Sequence, residues 1–385
     1  MNQIMKRKKE IKVGKIKRRC VFKTGKKFFS FIYWLAKTLT GIKRDKNKSC
    51  VSEITELSKI NRVMKYYYKR DEFIINSNNQ IQSFTFKSED GVELSGLKYI
   101  TNPDSKKWLI SSHWFAGDKY WALVHVKTFI ELGYNILVYD FRNHGQSEKT
   151  EVLSMGLLES KDLIAAIKYL NETEKVETLG LFGMSMGAYI TNYVVATQKE
   201  LLDKSNVKFA ISDSTYASLE SLLYKTWRSW FKLFLSRKAA RKIINKIIKS
   251  QQSITNHDQK ELNLFTKYED DNIIPASAPT LFIHGVNDKI TSHTDSLRLY
   301  IDRIKHCKDD EILLYNSCNH CFALKDHYYR TVYSTLMFEN KIIKDHNATK
   351  KALEKMNITK EIIKNNFNEI KEVPTFHFCL NKEDL

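Results

Sequence analysis

One serine lies in a sequence pattern that suits nucleophilic chemistry. Ser185 occupies the centre of Gly183-Met-Ser-Met-Gly187, between the apolar run 178–182 and a stretch of helical periodicity. A sharp strand-to-helix turn exposes such a hydroxyl, and small residues two positions away let neighbouring backbone pass. Only 13 of the 385 residues are glycine, so chance produces this pattern far less than once. The spacing therefore predicts a nucleophilic serine.

A serine hydroxyl needs an adjacent base, and that base needs an orienting carboxylate. Asp288 follows the apolar run 280–283, and His320 follows the last apolar run at 311–315. The order serine, aspartate, histidine is one of the known chain orders of such a triad. Asp213 also ends an apolar run and is the rival carboxylate. We favour Asp288 because of this order and its His-Gly-x-x-Asp context.

The remaining histidines and cysteines have other interpretations. We expect His144 and His284 to hold their loops, His113 to order the loop after a strand, and His327 to lie on a helix face. Cys318-Asn-His-Cys321 invites a zinc or redox interpretation, but a structural zinc site needs four ligands with a second close pair. The sequence supplies no such pair, so we expect no metal and no cofactor. Six cysteines in so long a chain favour reduced thiols rather than a disulfide framework.

Alternating apolar and amphipathic stretches predict the elements that position these residues. Residues 82–100 read as a hairpin around Asp90-Gly91. Short buried strands and helices then alternate, which is typical of a mostly parallel sheet with helices on both faces, opened by the antiparallel hairpin. The predicted strands are 108–110, 136–139, 178–182, 209–211, 280–283 and 311–315, and the predicted helices are 119–132, 157–170, 187–200 and 293–305.

Over residues 84–337 the sequence resembles an α/β-hydrolase, in the branch of serine aminopeptidase-like and monoglyceride lipase-like esterases. The hairpin, the run Asp140-Phe-Arg-Asn-His-Gly-Gln-Ser147, the serine pattern, the segment 281–288 and His320 carry the resemblance. It implies that Ser185 is the nucleophile, His320 the general base and acid, and Asp288 the orienting carboxylate. It also implies an oxyanion hole formed by the backbone N–H groups of Met186 and Phe115.

Trp114 stands where similar enzymes have glycine, so we expect it to alter the oxyanion loop or to shape an acyl pocket. Similar enzymes carry a helical cap where this chain has the insert 216–265. We expect Trp227 and Trp230 of that insert to bind substrate together with Trp114. Between residues 217 and 250 the only acidic residue is Glu220, whereas a peptidase cap needs carboxylates for an α-amino group.

The sequence therefore favours a carboxylic ester hydrolase, esterase-like or lipase-like, for a small ester or lipid with an apolar acyl group. The alternatives are an aminopeptidase, an amidase or an acyltransferase with the same triad. A non-catalytic membrane-binding module on a hydrolase scaffold is a further alternative.

The net charge of +19 is concentrated in two segments. Residues 1–50 carry a net +15 and residues 217–250 a net +8, so the rest is mildly acidic. In the first segment, apolar residues between Phe28 and Ile42 share one helical face flanked by lysines, which favours an anionic membrane surface as partner. A short membrane anchor and a basic arm for nucleic acid are the alternatives, and nucleic acid is the less favoured partner. Residues 217–250 repeat this combination of basic, leucine and aromatic residues, but a core-packed helix with a solvated basic face explains that segment at least as well.

These observations predict three regions and a place in the cell. The regions are a basic amphipathic segment at 1–50, a hydrolase domain at 66–340 that includes the cap, and a helical extension at 341–385. No apolar run approaches the ~20 residues that a bilayer span requires, which excludes a polytopic membrane protein. We expect a cytoplasmic protein, peripheral at the membrane.

Overall fold

The computed structural model describes residues 53–69, 71–75, 80–150, 152–268, 278–368 and 375–379, and a nine-stranded sheet forms their centre. Its strands are β1 (Ile81–Lys87), β2 (Glu93–Tyr99), β3 (Lys107–Ser112), β4 (Asn135–Tyr139), β5 (Thr178–Met184), β6 (Val207–Asp213), β7 (Thr280–Gly285), β8 (Glu311–Tyr315) and β9 (Thr375–Cys379).

The strands lie side by side in the order β1-β2-β4-β3-β5-β6-β7-β8-β9. The six strands from β4 to β8 in this order are parallel, whereas β2 is antiparallel to both β1 and β4. The turn between β1 and β2 contains Gly91 at φ 83°, a conformation that glycine adopts without strain. The predicted mostly parallel sheet, opened by an antiparallel hairpin, is confirmed.

Thirteen α-helices surround the sheet in the described part of the chain. They are α1 (Glu53–Tyr68), α2 (Lys119–His125), α3 (Lys127–Glu131), α4 (Leu157–Thr173), α5 (Met186–Thr197), α6 (Lys199–Lys204), α7 (Leu219–Thr226), α8 (Arg237–Thr255), α9 (His293–Ile304), α10 (Ala323–Asp326), α11 (Tyr328–Ile343), α12 (His346–Lys355) and α13 (Lys360–Asn368).

Buried apolar side chains form one cluster on each face of the sheet. Along β3, Leu109 packs into one cluster, whereas Trp108 and Ile110 pack into the other. The first cluster includes residues of α1, α2, α3, α11 and α12, and the second includes residues of α4, α5, α6 and α9. Because both faces are covered, the parallel strands read as continuous apolar runs in the sequence.

Two predicted helices are each divided in the structure. The helix predicted at 119–132 is α2 followed by α3, with Val126 between them. The helix predicted at 187–200 is α5 followed by α6, with Gln198 between them. The other predicted strands and helices are present, and their ends differ from the predicted ones by three residues or fewer.

Elements at both ends of the chain extend beyond the predicted hydrolase region. Helix α1 begins 13 residues before residue 66, and its Leu57, Ile60 and Met64 are buried in the first cluster. The folded body therefore extends N-terminal of the predicted hydrolase domain, into the described residues 53–65. The segment 341–385 contains α12 and α13, and it also contains the unpredicted β9, which pairs antiparallel with β8.

The insert 216–265 contains α7, a π-helical turn at Trp227–Phe231, and α8. Residues 1–50, with the predicted basic amphipathic helix, lie outside the described residues. Among the residues that the structure describes, no helix is both long enough and apolar enough to cross a membrane.

Candidate active site

Ser185 lies at the turn between β5 and α5. Its backbone has φ 54° and ψ −112°, a strained conformation for a residue with a side chain. A Cβ atom on Gly187 would lie 2.3 Å from the carbonyl oxygen of Ser112, and one on Gly183 would lie 2.3 Å from that of Gly187. Both glycines are therefore required by close backbone contacts. The backbone N–H of Ser185 donates to the carbonyl of Asp213 at 2.8 Å, which ties the turn to β6.

His320 lies between the hydroxyl of Ser185 and the carboxylate of Asp288. Its Nε2 is 2.8 Å from Ser185 Oγ, and its Nδ1 is 2.6 Å from Asp288 Oδ2. Because a carboxylate only accepts, Nδ1 carries the proton and Nε2 accepts from the serine hydroxyl. This tautomer leaves Nε2 able to take the serine proton, which is the arrangement that activates a serine nucleophile.

The carboxylate of Asp288 is held in the loop after β7. Its Oδ1 accepts from the backbone N–H groups of Ile290 (2.7 Å) and Thr291 (3.0 Å). Its Oδ2 accepts from the Thr291 hydroxyl at 2.8 Å and lies 3.3 Å from Nε2 of His284. These donors all favour the ionised carboxylate. Although burial raises the pKa of Asp288, the charge of His320 and the hydrogen bond from His284 hold it well below its usual range.

The pKa of His320 is shifted in the opposite direction. Burial lowers the pKa of the imidazole, but the negative charge of Asp288 outweighs burial and raises it well above 6.5. The ring therefore becomes a stronger base than a free histidine, and it is neutralised only in more alkaline solution.

Asp213 also lies at the carboxyl end of its strand, but its side chain is directed elsewhere. Its Oδ1 accepts from the Ser214 hydroxyl at 2.8 Å, and that hydroxyl accepts from the backbone N–H of Cys321 at 3.1 Å. Asp213 thus supports the segment that carries His320. Burial raises the pKa of Asp213 to about 6, against the lowering effect of the Ser214 hydrogen bond.

The loop after β3 lies against the serine turn, as the contact of Gly187 with Ser112 requires. His113 orders this loop. Its Nε2 accepts from the backbone N–H of Phe141 at 3.1 Å, so its Nδ1 carries a proton and donates to the carbonyl of Trp114 at 2.7 Å. Met186 is the first residue of α5, and N–H groups in the first turn of a helix have no partner within the helix. The loop with Phe115 and the N-terminus of α5 are therefore neighbours.

The three tryptophans predicted to bind substrate lie in different places. Trp114 is half-buried, and its ring contacts Trp121 and His125 of α2 at centroid distances of 5.3 Å each. Trp227 donates from Nε1 to the carbonyl of Leu235 at 2.9 Å, inside the insert. Trp230 is 56% exposed, and Nζ of Lys289, the residue after Asp288, lies 5.9 Å from its ring centre. Trp230 thus contacts the side chain of a residue next to Asp288, whereas Trp114 packs against α2.

The other histidines and the cysteines lie around this site. His144 bonds to the carbonyl of Arg142, and burial lowers its pKa to about 3, so it is neutral. His327 stacks on Tyr315 with a centroid distance of 4.3 Å. Cys318 and Cys321 are buried thiols, and within the described ranges no group of histidine, cysteine and acidic side chains could hold a metal ion.

Sequence reasoning missed two polar contacts of the site. Thr291 donates to the Asp288 carboxylate, and Ser214 links Asp213 to the backbone beside His320. The turn after Asp288 did have a local signal, because an aspartate side chain commonly accepts from the backbone N–H two residues on, which here is Ile290. His284 was expected only to hold its loop, yet it also reaches the carboxylate oxygen.

Comparisons with known proteins identify what the chain is similar to. A family described as serine hydrolase (FSH1) matches residues 139–332, half of the chain. The uncharacterized protein YqkD of Bacillus subtilis is 26% identical over 219 residues, which cover 57% of this chain and 67% of YqkD.

Two solved structures show the same fold. The esterase Pf2001 of Pyrococcus furiosus superimposes with a TM-score of 0.54 at 19% identity, over 68% of this chain and 93% of the esterase. Est1E of Butyrivibrio proteoclasticus, solved with bound ferulic acid, superimposes with a TM-score of 0.50 at 17% identity, over 68% of this chain and 100% of Est1E. These likenesses establish the α/β-hydrolase fold of the chain.

Proposed function

The chain belongs to the serine hydrolase (FSH1) family, and we propose that it cleaves carboxylic esters with apolar acyl groups through Ser185, His320 and Asp288. The observation that carries this proposal is the pair of contacts made by one imidazole. His320 reaches Ser185 Oγ at 2.8 Å through Nε2 and Asp288 Oδ2 at 2.6 Å through Nδ1.

In the first half of the reaction, Ser185 Oγ attacks the ester carbonyl while His320 Nε2 takes the hydroxyl proton. Asp288 stabilises the imidazolium and keeps the ring in the correct tautomer. The imidazolium then gives its proton to the departing alkoxide, which leaves as an alcohol. The acyl group remains on the serine as an ester.

The negative charge that develops on the carbonyl oxygen needs donors that are already in place. We assign this role to the backbone N–H groups of Met186 and Phe115. Support comes from the position of Met186 at the start of α5 and from His113, which orders the loop that carries Phe115. Removal of one such donor costs about 10²–10³-fold in rate, so the order of this loop matters for catalysis.

In the second half of the reaction, water attacks the acyl-enzyme. His320 takes a proton from that water, and the same two N–H groups stabilise the second tetrahedral intermediate. The acid departs, and the proton returns to Ser185 Oγ. An acceptor alcohol in place of water would make the same site an acyltransferase.

The composition of the insert supports an ester rather than a peptide substrate. Glu220 is the only acidic residue between 217 and 250, and it is exposed. A peptide with a free α-amino group therefore finds no cluster of carboxylates in residues 217–250. Trp230, beside Lys289 of the active-site loop, offers an aromatic surface to an apolar acyl chain.

The test is labelling of the full-length protein with a fluorophosphonate probe, followed by hydrolysis of p-nitrophenyl esters of increasing chain length and of aminoacyl p-nitroanilides. We expect labelling, turnover of the esters, and loss of both in Ser185→Ala. Ser253→Ala, which changes an exposed serine on α8, is the matched control and should behave as the unaltered protein.

Faster cleavage of the anilides than of the esters would instead support an aminopeptidase or amidase. A folded protein that neither reacts with the probe nor cleaves any substrate would support a non-catalytic module.

A further inference from the structure

Exposed apolar side chains are concentrated in one short part of the insert. Of the eight large apolar residues that are exposed among the described residues, five lie between positions 230 and 243. Leu233 and Phe234 are 84% and 86% exposed, the highest values of the eight. We call these five residues the cap tip: Trp230, Phe231, Leu233, Phe234 and Ile243.

The cap tip projects from an ordered and packed base. The backbone N–H groups of Phe234 and Leu235 both donate to the carbonyl of Phe231, at 3.0 and 2.8 Å, and the Trp227 indole donates to Leu235. Beneath this turn, Leu223 of α7 and Ile244 of α8 are buried in the second core cluster. The base of the insert is thus packed into the core, whereas the cap-tip residues are exposed.

Cations surround the cap tip. All six basic residues between 228 and 242 are exposed, and none of them takes part in an ion pair with another described residue: Arg228, Lys232, Arg237, Lys238, Arg241 and Lys242. No acidic residue lies between them. Like charges of this density repel a second copy of the same surface, so self-association through the tip is disfavoured.

The cap tip and the nucleophile lie at the same edge of the sheet. The insert begins just after the carboxyl end of β6, where the backbone N–H of Ala217 donates to Asp295 of α9 at 3.0 Å. At the tip itself, Trp230 lies beside Lys289, which directly follows Asp288. Ile290, the next residue of the same loop, is 42% exposed and adds a further apolar side chain at this edge.

We infer that the cap tip docks on an anionic phospholipid bilayer. Leu233 and Phe234 enter the boundary between headgroups and acyl chains, and the surrounding lysines and arginines contact lipid phosphates. A basic surface alone would suit nucleic acid equally well, but projecting leucine and phenylalanine side chains gain nothing from a phosphate backbone. Docking in this orientation turns the edge of the sheet that carries Ser185 toward the lipid. It does not require the proposed reaction.

The experiment measures where and how strongly the full chain binds vesicles of phosphatidylcholine alone or mixed equally with phosphatidylglycerol. Hydrogen–deuterium exchange should show protection of residues 228–243 only with the anionic vesicles. In co-sedimentation, Leu233→Ser/Phe234→Ser and Arg241→Glu/Lys242→Glu should each weaken binding by about tenfold or more.

Two matched controls carry the same changes on other surfaces. Ile301→Ser/Met337→Ser replaces two exposed apolar residues on α9 and α11, and Lys350→Glu/Lys351→Glu reverses two exposed charges on α12. Both should bind anionic vesicles as the unaltered protein does. Thermal unfolding of all four variants identifies any change that acts through the fold.

Other results would overturn the inference. Protection confined to residues 1–50, with binding unaffected by either cap-tip variant, would assign the membrane contact to the N-terminal segment. Tighter binding of duplex DNA than of vesicles, lost in Arg241→Glu/Lys242→Glu, would assign the surface to nucleic acid. Hydrolysis of a soluble short-chain ester is measured in parallel. Its absence from the unaltered protein would contradict the proposed reaction and leave the docking result standing.

Discussion

The carboxylate Oδ2 of Asp288 lies 3.3 Å from Nε2 of His284, the penultimate residue of β7. Because a carboxylate only accepts, Nε2 of His284 carries the proton that faces Asp288, and its Nδ1 accepts from the Ser296 hydroxyl at 2.7 Å. The strand end and the loop after it are therefore joined through the carboxylate itself. Asp288 receives this support in addition to the donors from Ile290 and Thr291, and its orientation toward His320 follows from all of them.

Asp288 and Asp213 can be distinguished by the same substitution at each position. Asp288→Asn should lower kcat by about 10⁴-fold, because an amide at this position favours the wrong tautomer of His320. Asp213→Asn should have a much smaller effect, since Asp213 contacts Ser214 and reaches the histidine only through backbone. The measurement is steady-state hydrolysis of a soluble p-nitrophenyl ester by both variants, with thermal unfolding as control. A larger loss in Asp213→Asn would make Asp213 the orienting carboxylate.

The raised pKa of His320 predicts the pH dependence of the reaction. Attack requires the neutral imidazole, so kcat/KM should rise with pH through a pKa above 6.5 and be lost as the solution is acidified. In Asp288→Asn the negative charge is absent, and burial then lowers the pKa of the ring. The residual activity of that variant should therefore rise at a lower pH. A profile that does not move would show that another group sets the acidic limb.

Thr291 is expected to act as a positioning residue for Asp288. Thr291→Val keeps the shape of the side chain and removes the hydroxyl that lies 2.8 Å from the carboxylate. Hydrogen bonds to charged groups contribute about 1.5–3 kcal/mol, so kcat should fall by roughly 10- to 100-fold. KM should change little, and Thr291→Ser should restore most of the rate. An equal loss in the serine variant would mean that packing of the methyl group, and not the hydroxyl, is what matters.

The close contact between Gly187 and the backbone of Ser112 can be tested by adding a methyl group at Gly187. In Gly187→Ala, the new Cβ would lie 2.3 Å from the carbonyl oxygen of Ser112, and backbone on one side must move. We expect a lower melting temperature together with a loss of ester hydrolysis, because the turn and the loop after β3 shift against each other. Gly91→Asn in the hairpin turn is the control, since a Cβ there meets no atom within 4 Å and asparagine tolerates positive φ. Full activity in Gly187→Ala would show that the turn is more adaptable than the contact implies.

Much of the site was predictable because each of its residues lies within five positions of the carboxyl end of a strand. Ser185, Asp288 and His320 come after apolar runs, and the carboxyl ends of parallel strands meet at one edge of a sheet. The choice between Asp288 and Asp213 was harder, because both end strands at that edge. The difference between the two side chains is local. The Asp213 carboxylate accepts from the Ser214 hydroxyl, whereas Oδ2 of Asp288 lies 2.6 Å from Nδ1 of His320.

Other features depended on tertiary contacts that a local pattern does not encode. The break between α2 and α3 at Val126 carries no glycine or proline. Strand β9 exists because the outer edge of β8 is available for pairing, and the sequence of five residues does not reveal that partner. The exposure of Leu233 and Phe234 was also hidden, because their apolar character alone equally predicts burial.

The folded body is expected to begin at helix α1. Deletion of residues 1–50 should leave stability and hydrolysis of a soluble ester nearly unchanged, whereas deletion of residues 1–68 should destabilise the protein. Leu57, Ile60 and Met64 are buried in the first core cluster, and burial of each such side chain contributes about 1.5–3 kcal/mol. In the full chain, Ile60→Ala should therefore cost about 2–5 kcal/mol of unfolding free energy in urea denaturation. Arg62→Ala, on the exposed side of the same helix, should cost little. Equal stability of the two deletions would place the start of the folded body after α1.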